Sequence, residues 1–182
     1  MKLLLHACCG PCSIAPLRIL GEEGIEAFAF YYNPNIHPYR EWEARRSALS
    51  EHLDRAGVRE LPAPEYEVRG WLREVAYREE RRCRLCYRMR LFETAKRAKK
   101  GRFDGFSTTL LYSRYQNHEA VREAGESVAE ELDIPFIYRD WRDNWDEGVE
   151  RSRELGMYRQ DYCGCLYSEV ERFRPRAVKG SG

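Results

Sequence analysis

Hydrophobic positions along the chain fall into two kinds of pattern, short apolar runs and stripes at helical spacing. Residues 2–7 (KLLLHA) predict a short buried strand, ended by the Cys9-Gly10-Pro11-Cys12 turn, with Ser13 suited to cap a helix that runs to Gly21. Residues 26–32 (EAFAFYY) predict a second strand, stopped by Asn33-Pro34-Asn35. Between 38 and 56 the apolar positions Trp42, Leu49, Leu53 and Ala56 share one helical stripe, and Gly57 follows as the C′ residue. A third strand is expected at 58–61, and Val68, Trp71, Leu72 and Val75 then mark a helix. A further helix from about 86 to 99 ends at Gly101, and residues 103–109 read as a fourth strand leading into LLYSRYQN. Val121, Ala124, Val128 and Leu132 set another helix, followed by a fifth strand at 134–138 and a helix near 146–155. Strands alternating with helices predict an α/β fold, a mainly parallel, doubly wound, Rossmann-like sheet in a single domain over 1–174, with 175–182 as a flexible tail. In such sheets ligands bind at the C-terminal strand ends, where the first cysteines and the STTLLYSRYQN loop both fall.

Charge modifies this picture. The chain has 31 basic and 30 acidic residues, yet residues 69–102 hold 13 Arg or Lys against 4 Glu, whereas 119–133 hold six acids and one Arg. The basic stretch suits a polyanion such as nucleic acid, or else forms a solvated helix face. Mean hydropathy is −0.72, and no apolar run approaches the roughly 20 residues of a membrane span. The opening apolar stretch is only Leu3, Leu4 and Leu5, too short for an export signal, so a cytoplasmic protein is expected.

The seven cysteines occur in three groups: Cys8, Cys9 and Cys12; Cys83 and Cys86; Cys163 and Cys165. In a reducing compartment such clusters point to metal or redox chemistry before disulfides, and the odd count argues against a complete disulfide framework. Arg81, Arg82 and Arg84 around the C-x-x-C would lower thiol pKa values. The glycine of Cys163-Gly164-Cys165 would let both sulfurs turn the same way. Seven thiols exceed one structural zinc, whereas iron–sulfur ligation is all-thiolate and tolerates irregular spacing. Dithiol exchange at Cys9-Gly10-Pro11-Cys12 is a further reading, weakened by the other five cysteines.

Taken together and in order, LHACCGPCS, YYNPNIHP, CRLCYRMRL, FSTTLLYSRYQN and GMYRQDYCGC resemble the QueH family of epoxyqueuosine reductases over about residues 3–173. The resemblance implies a cytosolic, cobalamin-independent oxidoreductase of HUP-like fold that removes the epoxide oxygen of epoxyqueuosine in a tRNA anticodon. It also implies a 4Fe-4S cluster and a neighbouring mononuclear iron. Carried onto this chain, the cluster ligands are Cys8, Cys9, Cys83 and Cys86, and the second iron takes Cys12, Cys163 and Cys165. Some family members look to carry an aspartate at the position of Cys12, so three thiolates would give this iron a softer ligand field. An external one-electron donor, ferredoxin- or flavodoxin-like, is implied as well, and no membrane partner.

Beside Cys163, the side chains of Asp161, Tyr162 and Tyr158 are candidate proton donors. His6 is read first as a core histidine or one that supports a ligand. Arg114, Gln116, Asn117 and Gln160 are candidate substrate or tRNA contacts, some of them expected to be loop caps. Tyr39, Tyr87 and Tyr115 could stack on bases. Three rivals are a nucleotide-dependent PP-loop enzyme, a CCG-type iron–sulfur subunit of a disulfide reductase and a zinc-stapled RNA-binding module. The first is poorly supported, because thiols and Pro11 occupy the loop that would cradle phosphate.

Overall fold

The computed structural model describes residues 1–175, so the tail expected at 175–182 lies, after its first residue, outside the described residues. Strands β1 (Lys2–His6), β2 (Glu26–Phe30), β3 (Glu60–Leu61) and β4 (Gly105–Thr108) form one parallel sheet in the order β3-β2-β1-β4. β1 is central and covered on both faces, which is why its apolar residues run without alternation. Leu3 and Leu5 enter a core with Leu20 of α1 (Gly10–Glu22) and Leu49 of α2 (Tyr39–Ala56), while Leu4 enters a second core on the opposite face. That second core is closed by Leu91, Ala95 and Ala98 of α4 (Arg82–Lys100) and Val128 of α5 (His118–Leu132). The short α3 (Arg69–Val75) packs on α4, and α6 (Trp145–Glu154) packs on α1. The last helix, α7 (Leu166–Phe173), follows the final cysteine pair.

The fold class is the one the pattern predicts, with four local differences. Helix α1 starts at Gly10 with Cys9 at the N-cap, and Ser13 lies inside it, donating its hydroxyl to the Gly10 carbonyl at 2.6 Å. Pro11 suits the first helical turn, so the helix absorbs the turn expected before it. Helix α4 starts at Arg82, before the expected 86, its added residues 82–85 carrying none of the buried positions that an apolar count follows. Asn117 caps α5 four residues before the first residue of its apolar stripe, Val121. The fifth strand reduces to a single bridge, Phe106 to Phe136. Pro135 brings no N–H to the ladder, although its carbonyl still accepts from the Phe106 N–H at 3.0 Å.

The two charge-biased stretches meet each other. α4 lies along α5, with Arg84 to Glu123 at 2.5 Å and Arg88 to Glu131 at 2.6 Å. Part of the basic excess is therefore neutralised within the fold.

Candidate metal centre

β1 is joined through α1 to β2 on one side and hydrogen-bonds to β4 on the other, so the chain reverses direction across the sheet between β1 and β4. The loops leaving these two strands form a crevice, and it carries the first cysteines. The Cys8 N–H donates to Thr109 Oγ1 at 3.0 Å, which ties the loop after β1 to the segment after β4. The sulfurs of Cys8, Cys9 and Cys12 all lie within 4.8 Å of one another. They sit at the N-terminus of α1, where the helix dipole favours negative charge. Pro16 has no N–H to donate to the Cys12 carbonyl one turn back. The Cys8 thiol is held well below its usual pKa, first by its hydrogen bond with Cys12 and then by that with Cys9.

The other four thiols approach from α4 and from the loop before α7. Cys86 and Cys165 share an apolar cluster with Trp71 and Val75, and burial pushes the Cys86 thiol up to about 12. Cys165 caps α7, its sulfur accepting from the Ser168 N–H at 3.3 Å. Gly164 adopts φ +125°, a conformation open to glycine, and a Cβ there would meet Ile36 at 2.9 Å. The expected turn between Cys163 and Cys165 is therefore present. Cys8, Cys12 and Cys163 all line one cavity of about 500 Å³.

Gln160 and Gln116 line this cavity and hold sulfur: Gln160 Nε2 donates to Cys9 Sγ at 2.9 Å and Gln116 Nε2 to Cys163 Sγ at 3.6 Å. Asp161 and Tyr162 line it too, but the Tyr162 hydroxyl donates to the His37 carbonyl at 2.8 Å. Tyr158 donates to Glu41, and burial with that partner pushes its hydroxyl up to about 12. Arg114 pairs with Asp146 at 3.2 Å, and Asn117 Oδ1 accepts from the Ala120 N–H at 3.1 Å as a helix cap. Tyr115 is 84% exposed at the cavity, and Tyr39 is also exposed, whereas Tyr87 is buried at 3% with its hydroxyl on Gln116. Tyr87 therefore has no free face for a base. His6 is fully buried between Thr108 Oγ1 and the Tyr32 carbonyl, and burial followed by the charge of Arg90 lowers it to about 4.

Two residues escaped the sequence reading, Arg45 and Arg90, both 2% exposed and both lining the cavity. Each lies on the buried stripe of its helix, and a charge on such a stripe is the signal that would have found them. Seven free cysteines, three sulfurs in close approach and two buried guanidinium groups form a set that fits an anionic metal–thiolate centre.

The sequence profile described as epoxyqueuosine reductase QueH matches residues 3–171. The chain belongs to the QueH family. A QueH protein of Dehalococcoides mccartyi is 36% identical over 94% of both chains. That of Thermotoga maritima is 35% identical over 93% of this chain and 91% of its own, and that of Haemophilus influenzae is 35% identical over 92% and 71%. Among solved structures, a predicted tRNA methyltransferase subunit from Methanocaldococcus jannaschii aligns with a TM-score of 0.55 at 12% identity, covering 86% of this QueH chain and 89% of its own. That likeness concerns the fold alone. No helix among the described residues is long and apolar enough to cross a membrane.

Proposed function

We propose that this chain reductively removes the epoxide oxygen of epoxyqueuosine in tRNA to give queuosine, in the cytoplasm and without cobalamin. The observation that carries the reading is that cysteines from both ends of the chain face one cavity, in a protein of the QueH family. Cys8, Cys9, Cys83 and Cys86 would hold a 4Fe-4S cluster, and Cys12, Cys163 and Cys165 a mononuclear iron. When bound, these groups supply single electrons and a Lewis acid for the departing oxygen. Opening an epoxide to an alkene consumes two electrons and two protons and releases water, so an external donor of the ferredoxin or flavodoxin class must deliver electrons one at a time.

The chain's own residues bind, orient and screen. A cavity of about 500 Å³ has the size of a small-molecule site. Gln116 and Gln160 hold two of the thiols in place from its wall. Asp161 is exposed at the cavity and free to pass a proton inward, whereas the Tyr162 proton is engaged by a backbone carbonyl. Tyr115, edge-on to Trp145 at 5.3 Å, offers a stacking face at the cavity, whose lining also includes Arg159 and Arg172 for phosphates.

The test is nucleoside analysis of epoxyqueuosine-containing tRNA after anaerobic incubation with the protein and a low-potential reductant. Queuosine is expected. Unconverted tRNA with a brown protein containing iron and sulfide would favour the electron-transfer subunit, and a colourless protein with one zinc would favour the RNA-binding module.

A further inference from the structure

Arg90 is 2% exposed, lines the cavity with Cys8, Cys12 and Cys163, and its Nη2 has no hydrogen-bond partner among the described residues. Its Nε donates to the Cys86 carbonyl at 3.2 Å, which fixes the guanidinium against the C-x-x-C turn of α4. The Tyr87 ring lies 5.6 Å from it, a modest cation–π contact. The thiols of Cys8, Cys12 and Cys163 line the cavity with it, and of the two carboxylates there, Asp161 and Glu171, neither makes a salt bridge to Arg90 among the described residues, Glu171 being paired with Arg82.

A buried cation without an anion is strongly disfavoured. Neutral thiols do not compensate it, and thiolates do. A buried guanidinium with an unpaired Nη2 on the wall of a cysteine-lined cavity gains its counter-charge when those cysteines hold a metal as thiolates.

We infer that Arg90 is the buried counter-charge of the metal–thiolate centre, a positioning residue that stabilises the centre's more reduced, more negative state and so raises its reduction potential. This rests on the reading that the cysteines hold a redox metal, and the two can fail separately. Adding an electron to a thiolate-bound centre adds negative charge, and a fixed, buried cation beside it favours that state. The same cation offsets repulsion among the thiolates of Cys8, Cys86 and Cys163 and so favours metal retention.

The experiment compares wild type, Arg90→Gln and Arg90→Lys after anaerobic reconstitution with iron and sulfide, by metal analysis and spectroelectrochemical titration. Arg90→Gln is expected to lower the one-electron equilibrium at least tenfold, about 59 mV for a one-electron couple, or to lose the metal. Arg90→Lys, which keeps the charge, is expected to stay closer to wild type. Wild type without iron and sulfide overturns the metal reading and this inference with it. Wild type with both, and Arg90→Gln equally loaded at an unchanged potential, overturns the role of Arg90 alone, as does a change confined to KM for the tRNA. Metal-free Arg90→Met gives a second measurement: an uncompensated cation predicts a Tm at or above wild type, and failure of this variant to fold would show a merely structural arginine.

Discussion

Arg45 ties α2 to the final cysteine loop, with Nε on Glu41 at 2.6 Å, Nη1 on the Cys163 carbonyl at 2.8 Å and Nη2 on the Tyr162 carbonyl at 3.1 Å. Its guanidinium also faces the Tyr162 ring at 5.3 Å. A residue on α2 thus holds the Cys163-Gly164-Cys165 loop by its backbone, far along the chain from itself. Replacing Arg45 by Met leaves both carbonyls without this partner and the Glu41 carboxylate with the Tyr158 hydroxyl alone, and a loss of about 3–5 kcal/mol is expected in urea denaturation of the metal-free protein. A loss below about 1 kcal/mol would mean that the loop is held by other contacts. Gly164→Ala acts on the same loop by another route, placing a Cβ at φ +125° against Ile36. It should cost about 1–3 kcal/mol and lower the iron bound per chain, read by metal analysis.

At the scale of elements, helix termini deliver the chemistry. Cys9 sits at the N-cap position of α1, Cys83 lies in the first turn of α4 and Cys165 caps α7, so three helix N-termini present thiols. α5 is different, since its cap is the amide of Asn117, a residue that the sequence offers equally as a substrate contact. The capping geometry makes a prediction that separates the two roles. Asn117→Ala should destabilise the protein by about 1 kcal/mol while KM for tRNA stays unchanged, whereas Gln116→Ala, at the cavity wall, should alter turnover. An Asn117→Ala variant with wild-type Tm and raised KM would assign the residue to substrate instead.

Across the whole molecule, charge and burial combine. All four histidines are lowered by burial, His6 to about 4, with His37, His52 and His118 lowered in the same direction. An unfolded histidine takes up its proton near pH 6.5, and the folded ones do so only at lower pH. Between those points the unfolded chain binds more protons, so stability rises with pH and falls as pH drops. Metal-free protein should accordingly lose Tm steadily from pH 7 toward pH 5 in calorimetry; a flat profile would contradict the burial of these rings. The surface makes a separate prediction for tRNA. Arg84 and Arg88 are paired with α5 acids, while Arg81 is exposed between Arg78 and Arg82. Arg81→Glu should weaken tRNA binding and lower the slope of log K against log salt by about one per lost phosphate contact, with a smaller effect for Arg88→Glu.

Much of this was legible in the chain alone. Apolar runs and helical stripes are local patterns, so they determined the α/β class, the order of the first four strands and the helices between them. The three cysteine groups and their flanking motifs likewise marked a QueH protein, because motif order survives without coordinates. Contacts between distant segments were not legible. Pairing of the basic α4 with the acidic α5, the grip of Arg45 on a loop more than 100 residues away, and the burial of Tyr87 all depend on which faces meet when the helices close on the sheet. Arg90 is the clearest case: in sequence it is one arginine in a basic stretch, and only packing of α4 against the sheet turns it inward. Its environment, and with it the meaning of its charge, is a property of long-range burial that a local pattern cannot encode.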